Sequence, residues 1–104
     1  MSRIAQFAKF TAKPGSGPQV VAVLETALKS AREESGTQVY AIHQQIDDPD
    51  VVWMYELYAD GDAQAAHSGS DATAVLRSAV GDLLAEPLTV VRGAVGQEFG
   101  LPTL

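Results

Sequence analysis

A chain of 104 residues with 46% hydrophobic and 19% charged side chains makes one globular domain, spanning 1–104, with no room for a large enclosed active site in a single copy. It contains no cysteine, which excludes disulfides, thiolate catalysis and Cys-based zinc or iron–sulfur sites. The net charge is -6 and the seven basic residues are scattered, whereas phosphate backbones need clustered Lys and Arg, so neither nucleic acid nor an anionic membrane is an expected partner.

The opening Met-Ser-Arg-Ile-Ala-Gln lacks the pattern of a signal peptide, and no apolar run approaches the ~18 residues of a membrane-spanning helix. A cytoplasmic protein is expected. Arg3 to Lys13, rich in Phe, Ile and Thr, reads as a strand that the Pro14-Gly15-Ser16-Gly17-Pro18 segment breaks. Pro18 suits the first turn of a helix, and Val20, Val21, Leu24, Ala27, Leu28 and Ala31 then recur at helical spacing. Gly36 stands where a left-handed helix cap is expected. Thr37 to Ile46 is a second strand, Asp47-Asp48-Pro49-Asp50 a turn, and Val51 to Ala59 a third strand, so strands two and three form an antiparallel hairpin.

Asp60 is placed to cap a short helical stretch carrying Ala63, Ala65, Ala66 and His67. Gly69 interrupts it, and Ser70 caps a second stretch with an apolar stripe of Ala72, Val75, Leu76, Ala79, Val80 and Leu83. Pro87 stops that helix. Leu88 to Val95 is the fourth strand, and the tail from Gly96 to Leu104 keeps Phe99, Leu101 and Leu104. The order β-α-β-β-α-β is the ferredoxin-like arrangement of the α+β class.

In that arrangement both helices cover one face of the sheet, and a monomer's other face should turn polar. It does not. In the third strand Val51, Trp53, Tyr55 and Leu57 point one way, and Val52, Met54 and Tyr58 point the other with Glu56. The fourth strand sets Leu88 and Val90 against Val91 and Val95, and the first sets Phe7 against Ile4 and Phe10. A second apolar face of several hundred square ångströms, on the order of patches that mark interaction sites, needs a cover. A second copy is the economical one, which makes a homodimer the expected state. Val90 is taken as the residue facing the partner, an assignment that a register shift of one residue reverses.

Several pieces of the chain carry a resemblance. They are Ala12-Lys13-Pro14-Gly15 after the first strand, Arg32-Glu33-Glu34-Ser35-Gly36 with Tyr40 beyond it, Asp48-Pro49, Tyr55-Glu56-Leu57-Tyr58-Ala59-Asp60, and Ala63 with Ala66-His67-Ser68. In their order and spacing the chain resembles the antibiotic biosynthesis monooxygenase family over nearly its whole length. The resemblance implies a ferredoxin-like protomer, a face-to-face dimeric α+β barrel, and a pocket between sheet and helices. It also implies chemistry drawn from a mixed set: cofactor-independent oxygenases of hydroxylated aromatics and quinols, haem-degrading enzymes and an isomerase. The haem-degrading pattern places an asparagine, a tryptophan and a ligand histidine where this chain has Ala8, His67 and Arg77, so haem is not expected.

His67 is the first candidate for a catalytic group. An imidazole can take a proton from a phenol or hydroquinone near neutral pH; the alternative is a structural hydrogen bond. Glu56 sits in an apolar strand, and burying it unpaired costs several kcal/mol, on the order of other buried charges. His67 or Arg77 is its expected partner, and Glu56 either orients the histidine or holds strand to helix. Phe7, Tyr40, Trp53, Tyr55 and Tyr58 could stack on an aromatic ligand, with Arg77 as a further substrate contact, although aromatics at strand spacing are more often core. His43 points opposite to Tyr40 and Ile42, as a partly exposed or interface residue.

Asp47, Asp48 and Asp50 lack the spacing of a calcium loop, and no dinucleotide fingerprint, Walker loop or paired ligand histidines occur, so no metal and no cofactor is expected. The expected function is a cofactor-free monooxygenase for a small aromatic or quinone-like ligand. The alternatives are an isomerase using the same pocket, or a non-catalytic small-molecule-binding dimer.

Overall fold

The computed structural model describes residues 2–103. Strand β1 (Ile4–Thr11) leads to helix α1 (Gly17–Ala31), then to strands β2 (Thr37–Gln45) and β3 (Asp48–Tyr58), helices α2 (Gly61–Ser68) and α3 (Asp71–Gly81), and strand β4 (Thr89–Ala94). The strands form one antiparallel sheet in the order β2-β3-β1-β4. This is the expected ferredoxin-like α+β arrangement, with the second helical element divided in two. No helix among the described residues is long and apolar enough to cross a membrane.

Both division and caps follow from local chemistry. Asp60 accepts a hydrogen bond from the Ala63 amide at 2.8 Å and starts α2; Ser70 accepts from the Thr73 amide at 3.2 Å and starts α3. Helices α1 and α3 lie on the same face of the sheet. Val20 and Leu24 of α1 and Leu76 and Val80 of α3 pack on Ala8, Phe10, Val52 and Met54 to form the core.

Two expected turn features are different in the structure. Gly36 has no left-handed backbone, and α1 ends at Arg32 with ordinary helical dihedrals. Gly36 is needed for space instead: a Cβ there would lie 2.4 Å from the Cβ of Ala63, so the absence of a side chain lets α2 settle against the start of β2. The hairpin also turns earlier than expected. Gln45 pairs with Asp48, leaving Ile46 and Asp47 as a two-residue loop, and Asp48, Pro49 and Asp50 already belong to β3. Asp50 is thereby freed for another task. Its carboxylate accepts the Gly15 and Gly17 amides, each at 2.9 Å, and ties the entry of α1 to β3.

The assignment of Val90 to the exposed face is corrected by the register. Val90 pairs with Ala8 and packs into the helix-covered core with Leu88. Val91, paired with Phe7, is the residue that faces away and is 59% exposed. Since side chains alternate with period two, one step of register exchanges the faces. Ala41, Tyr55, Phe7 and Val91 then lie in one row across all four strands of the helix-free face. The Phe7 and Tyr55 rings stack with centroids 5.5 Å apart.

The Asp50 clamp has a pH signature. The two amide donors hold its carboxyl below the ordinary aspartate value, so its stabilising contribution is present above the unfolded value of about 3.9 and is lost as pH falls through the folded one. Asp50→Asn should therefore melt below the parent protein at neutral pH, and the gap between the two should close as the pH is lowered past 4, roughly the unfolded aspartate value, in paired thermal melts.

Candidate functional site

Glu56 points from β3 toward the helices and is 3% exposed. Such a carboxylate must be paired where it lies. Its Oε1 accepts the hydroxyl of Tyr58 and, at 3.0 Å, the side-chain amide of Gln6 from β1. The Nε2 of His67 stands 3.5 Å from the same oxygen. Gln6 is itself fixed: its own Oε1 accepts from the Arg92 Nε at 2.7 Å and from the Gln64 amide at 3.3 Å. Thus Gln6 of β1, Glu56 and Tyr58 of β3, Arg92 of β4, and Gln64 and His67 of α2 form one continuous polar network in an otherwise apolar layer.

His67 is held from two directions. Its carbonyl accepts the hydroxyls of Ser70 and Thr73 at 2.8 and 2.7 Å, which builds the α2–α3 junction on this residue. Its ring Nδ1 lies 2.8 Å from Glu34 Oε1, and Glu34 is steadied in turn by the Thr37 hydroxyl at 2.7 Å. A carboxylate only accepts, so Nδ1 carries the proton in that contact, and Nε2 lies 3.5 Å from both Glu56 Oε1 and the Thr73 hydroxyl. The rings of Tyr40 and Tyr58 flank the imidazole at centroid distances of 5.5 and 5.3 Å.

Both phenols are pushed well above the ordinary tyrosine range. Burial is the main cause for each, followed by the negative charge of Glu56. Tyr58 is therefore a hydrogen-bond donor to Glu56, and neither phenol is a base at neutral pH. That leaves His67 as the group in this network with a nitrogen able to accept a proton.

Space surrounds the network on two sides. An inner cavity of about 40 Å³ is lined by Gln6, Tyr40, Glu56, His67, Arg77 and Arg92, among others. It has room for a few water molecules, not for an aromatic ring. It adjoins a cleft of about 350 Å³ walled by Val80, Leu84, Leu88 and Val90, with Arg77, Leu88 and Val90 common to both. Helix α3 packs mainly on α1, which leaves this cleft open between α3 and β4. A volume of a few hundred cubic ångströms with apolar walls and polar groups at one end is typical of a small-molecule site. On the other side of His67, Glu34 opens onto a second cleft of about 560 Å³. The imidazole thus stands between an interior chamber and the surface.

The structure brings together His67, Glu56, Tyr40 and Tyr58, and it places Arg77 on the rim of the same cavity. Phe7, Trp53 and Tyr55 are not there. They lie on the opposite, helix-free face, where the Trp53 indole donates to Gln45 at 2.9 Å and the Lys9 ammonium sits 5.5 Å over its ring. His43 is on that face too, with its Nδ1 3.3 Å from the Trp53 carbonyl. The parity of β3 separates Trp53 and Tyr55 from Glu56 and Tyr58, so their distance from the site follows from strand geometry. Glu34, Gln6 and Arg92 are members that sequence reasoning missed. Nothing local marks Glu34 as a partner of a residue 33 positions away, whereas Gln6 and Arg92, polar residues inside apolar strands, carried a readable signal.

Against known proteins, residues 3–78 match the model of the family described as antibiotic biosynthesis monooxygenase. Rv0793 of Mycobacterium tuberculosis, a protein named as a candidate monooxygenase, is 29% identical over 89 residues, which are 86% of this chain and 87% of that one. Its solved structure superposes with a TM-score of 0.87, covering 95% of this chain and all of the other at 27% identity. A protein of unknown function from Nitrosomonas europaea superposes with a TM-score of 0.85 at 26% identity, over 99% of this chain and 97% of that one. A Caulobacter crescentus structure described in the same family terms, at 22% identity and a TM-score of 0.86 over 92% of each chain, shares the fold.

Removing the carboxylate of Glu56 should strand the Tyr58 hydroxyl and the Gln6 amide in the core. Glu56→Ala is expected to lose roughly 3 kcal/mol in urea denaturation. Arg77→Ala, on the exposed side of α3, should stay within about 0.5 kcal/mol of the parent.

Proposed function

The chain belongs to the antibiotic biosynthesis monooxygenase family, and from that premise we propose that it is a cofactor-independent monooxygenase oxidising a hydroxylated aromatic or quinol with dioxygen. The observation that carries this reading is the arrangement of His67, whose Nδ1 is held by Glu34 at 2.8 Å while Nε2 faces the inner cavity. An imidazole oriented by a carboxylate on one nitrogen is a general base on the other.

The substrate ring enters between α3 and β4, with its hydroxyl directed inward and the apolar wall of Leu84, Leu88 and Val90 against its face. Nε2 of His67 removes the hydroxyl proton, and the Glu34 carboxylate stabilises the imidazolium that forms. The resulting aryl-oxide passes one electron to dioxygen, and the substrate radical and superoxide join through a new carbon–oxygen bond. The peroxide takes the proton back from His67. Loss of the proton from the oxygenated carbon, together with hydroxide, breaks the O–O bond and leaves one oxygen on the ring as a carbonyl and the other as water. All electrons come from the substrate. The protein supplies position, a dry chamber and a proton relay. Because the inner cavity is narrow, it admits the substrate's hydroxyl while the ring stays in the wider cleft outside it.

We also propose that the protein works as a homodimer joined through the helix-free faces of two sheets. The row of Ala41, Tyr55, Phe7 and Val91 supports this, since Phe7 is 45% and Val91 59% exposed in a single copy. The proposed active sites lie on the helix side, so each protomer keeps its own.

Two measurements test these proposals. An oxygen electrode with a panel of hydroquinones, dihydroxynaphthalenes and anthrones should record substrate-dependent uptake that falls at least about 100-fold in His67→Ala. Unchanged uptake in that variant would move the base elsewhere, and no uptake with any member would favour the isomerase or binding alternative. In light scattering the parent should have the mass of two chains, and Val91→Asp the mass of one; a monomeric parent would refute the dimer.

A further inference from the structure

We infer that Arg92 is a further catalytic residue of the proposed reaction, its guanidinium holding the aryl-oxide once His67 has taken the hydroxyl proton. This rests on the cleft reading above and adds to it the group that makes the deprotonation favourable.

A conflict of like charges lies at the floor of the site. Moving the substrate's proton to Nε2 of His67 leaves an anion in an inner cavity whose wall already holds the Glu56 carboxylate. The imidazolium is shared with Glu34 on its other nitrogen, so it balances only one of the negative charges then on Glu34, Glu56 and the substrate. Anions crowded into one poorly hydrated site disfavour each other, and a fixed cation at the same wall relieves the conflict. Apart from His67, the basic side chains that line this cavity are Arg77 and Arg92.

Strand register selects Arg92. On the helix-facing side of the sheet, Tyr40, Glu56, Gln6 and Arg92 stand opposite one another in a single row across β2, β3, β1 and β4. Gln6 donates to Glu56 at 3.0 Å and accepts from the Arg92 Nε at 2.7 Å. It therefore stands between carboxylate and guanidinium, fixing the plane of Arg92 without neutralising its charge. Among the described residues nothing accepts from the terminal nitrogens of Arg92. Val90, two residues earlier on the same face, walls the outer cleft, and positions two apart along a strand are about 7 Å distant. A phenol ring lying against Val90 thus reaches the Gln6–Arg92 end of the row with its hydroxyl. Arg77 is placed differently: it is exposed on α3 at the rim common to cavity and cleft, and no described side chain bonds to it. Arg92 lines the inner cavity alone, where the oxygen is. Arginine stays protonated at any ordinary pH, and its planar donors suit an oxyanion.

The test uses para-nitrophenol, whose anion has a visible absorption band where no side chain of the protein absorbs. With protein in saturating excess, that band gives the pH at which the bound probe ionises, and amide shifts in α3 and β4 show that it sits in the cleft. Arg92→Gln is expected to raise that pH by about one unit, roughly tenfold in acidity. Arg92→Lys, which keeps the charge without the planar fork, should raise it by less, and so should Arg77→Gln. Arg92 is exposed on an edge strand, so its variants should fold and melt close to the parent. Unchanged ionisation in Arg92→Gln, an Arg92→Lys variant as impaired as Arg92→Gln, or a larger effect of Arg77→Gln would overturn the inference while leaving the cleft as a phenol site. Absence of any amide shift in α3 and β4 would overturn the cleft reading itself, and this inference with it.

Discussion

A carboxylate in the middle of a buried strand organises this protein. Glu56, 3% exposed, cannot be left alone in an apolar layer, and it is satisfied by Tyr58 from its own strand and Gln6 from β1, with His67 of α2 3.5 Å away. The demand passes outward. Gln6 must be oriented to donate, and Arg92 and Gln64 orient it; His67 must be held, and Glu34 and the turn between α2 and α3 hold it. A buried charge of this kind adds little net stability, but it allows one arrangement of its neighbours. The proposed chemistry uses that one arrangement.

The sheet separates two tasks by parity. Even-numbered positions of β1 and β3, among them Gln6, Ala8, Met54 and Glu56, face the helices and meet at the cavity. Odd-numbered ones such as Phe7, Trp53 and Tyr55 form the helix-free surface assigned to a second copy. The aromatic side chains are therefore split: the site receives Tyr40 and Tyr58, the core Phe10, and the proposed interface Phe7, Trp53 and Tyr55. The opening between α3 and β4 arises because α3 leans on α1, so the fold creates a cleft without a dedicated loop.

Much of this was legible in the sequence because it depends on local pattern. Asp60 and Ser70 announce their helices by side-chain chemistry alone, and Glu56 stands out against apolar neighbours. Parity along β3 already parts Tyr55 from Glu56, so grouping Phe7, Trp53 and Tyr55 with the site ignored a signal that was present. Other features needed the third dimension. Gly36 looks like a helix cap and is instead a gap filled by Ala63. Asp50 looks like a turn residue and is a clamp on α1. The face of Val90 depends on the β1–β4 register, which a six-residue edge strand does not declare. The contact between Glu34 and His67 joins the loop after α1 to the end of α2, a distance no spacing rule spans.

In the proposed mechanism Glu34 holds His67 with its proton on Nδ1, so that Nε2 is the base facing the cavity. Long-range proton–nitrogen correlation spectra of the imidazoles test it directly, because the chain has only two histidines and His43→Gln assigns them. Neutral His67 is expected to be the Nδ1–H tautomer, Glu34→Gln to shift it toward the mixture seen in free imidazoles, and Nε2 to gain a proton when a phenolic ligand fills the cleft. A neutral His67 protonated on Nε2, indifferent to Glu34→Gln, would contradict it.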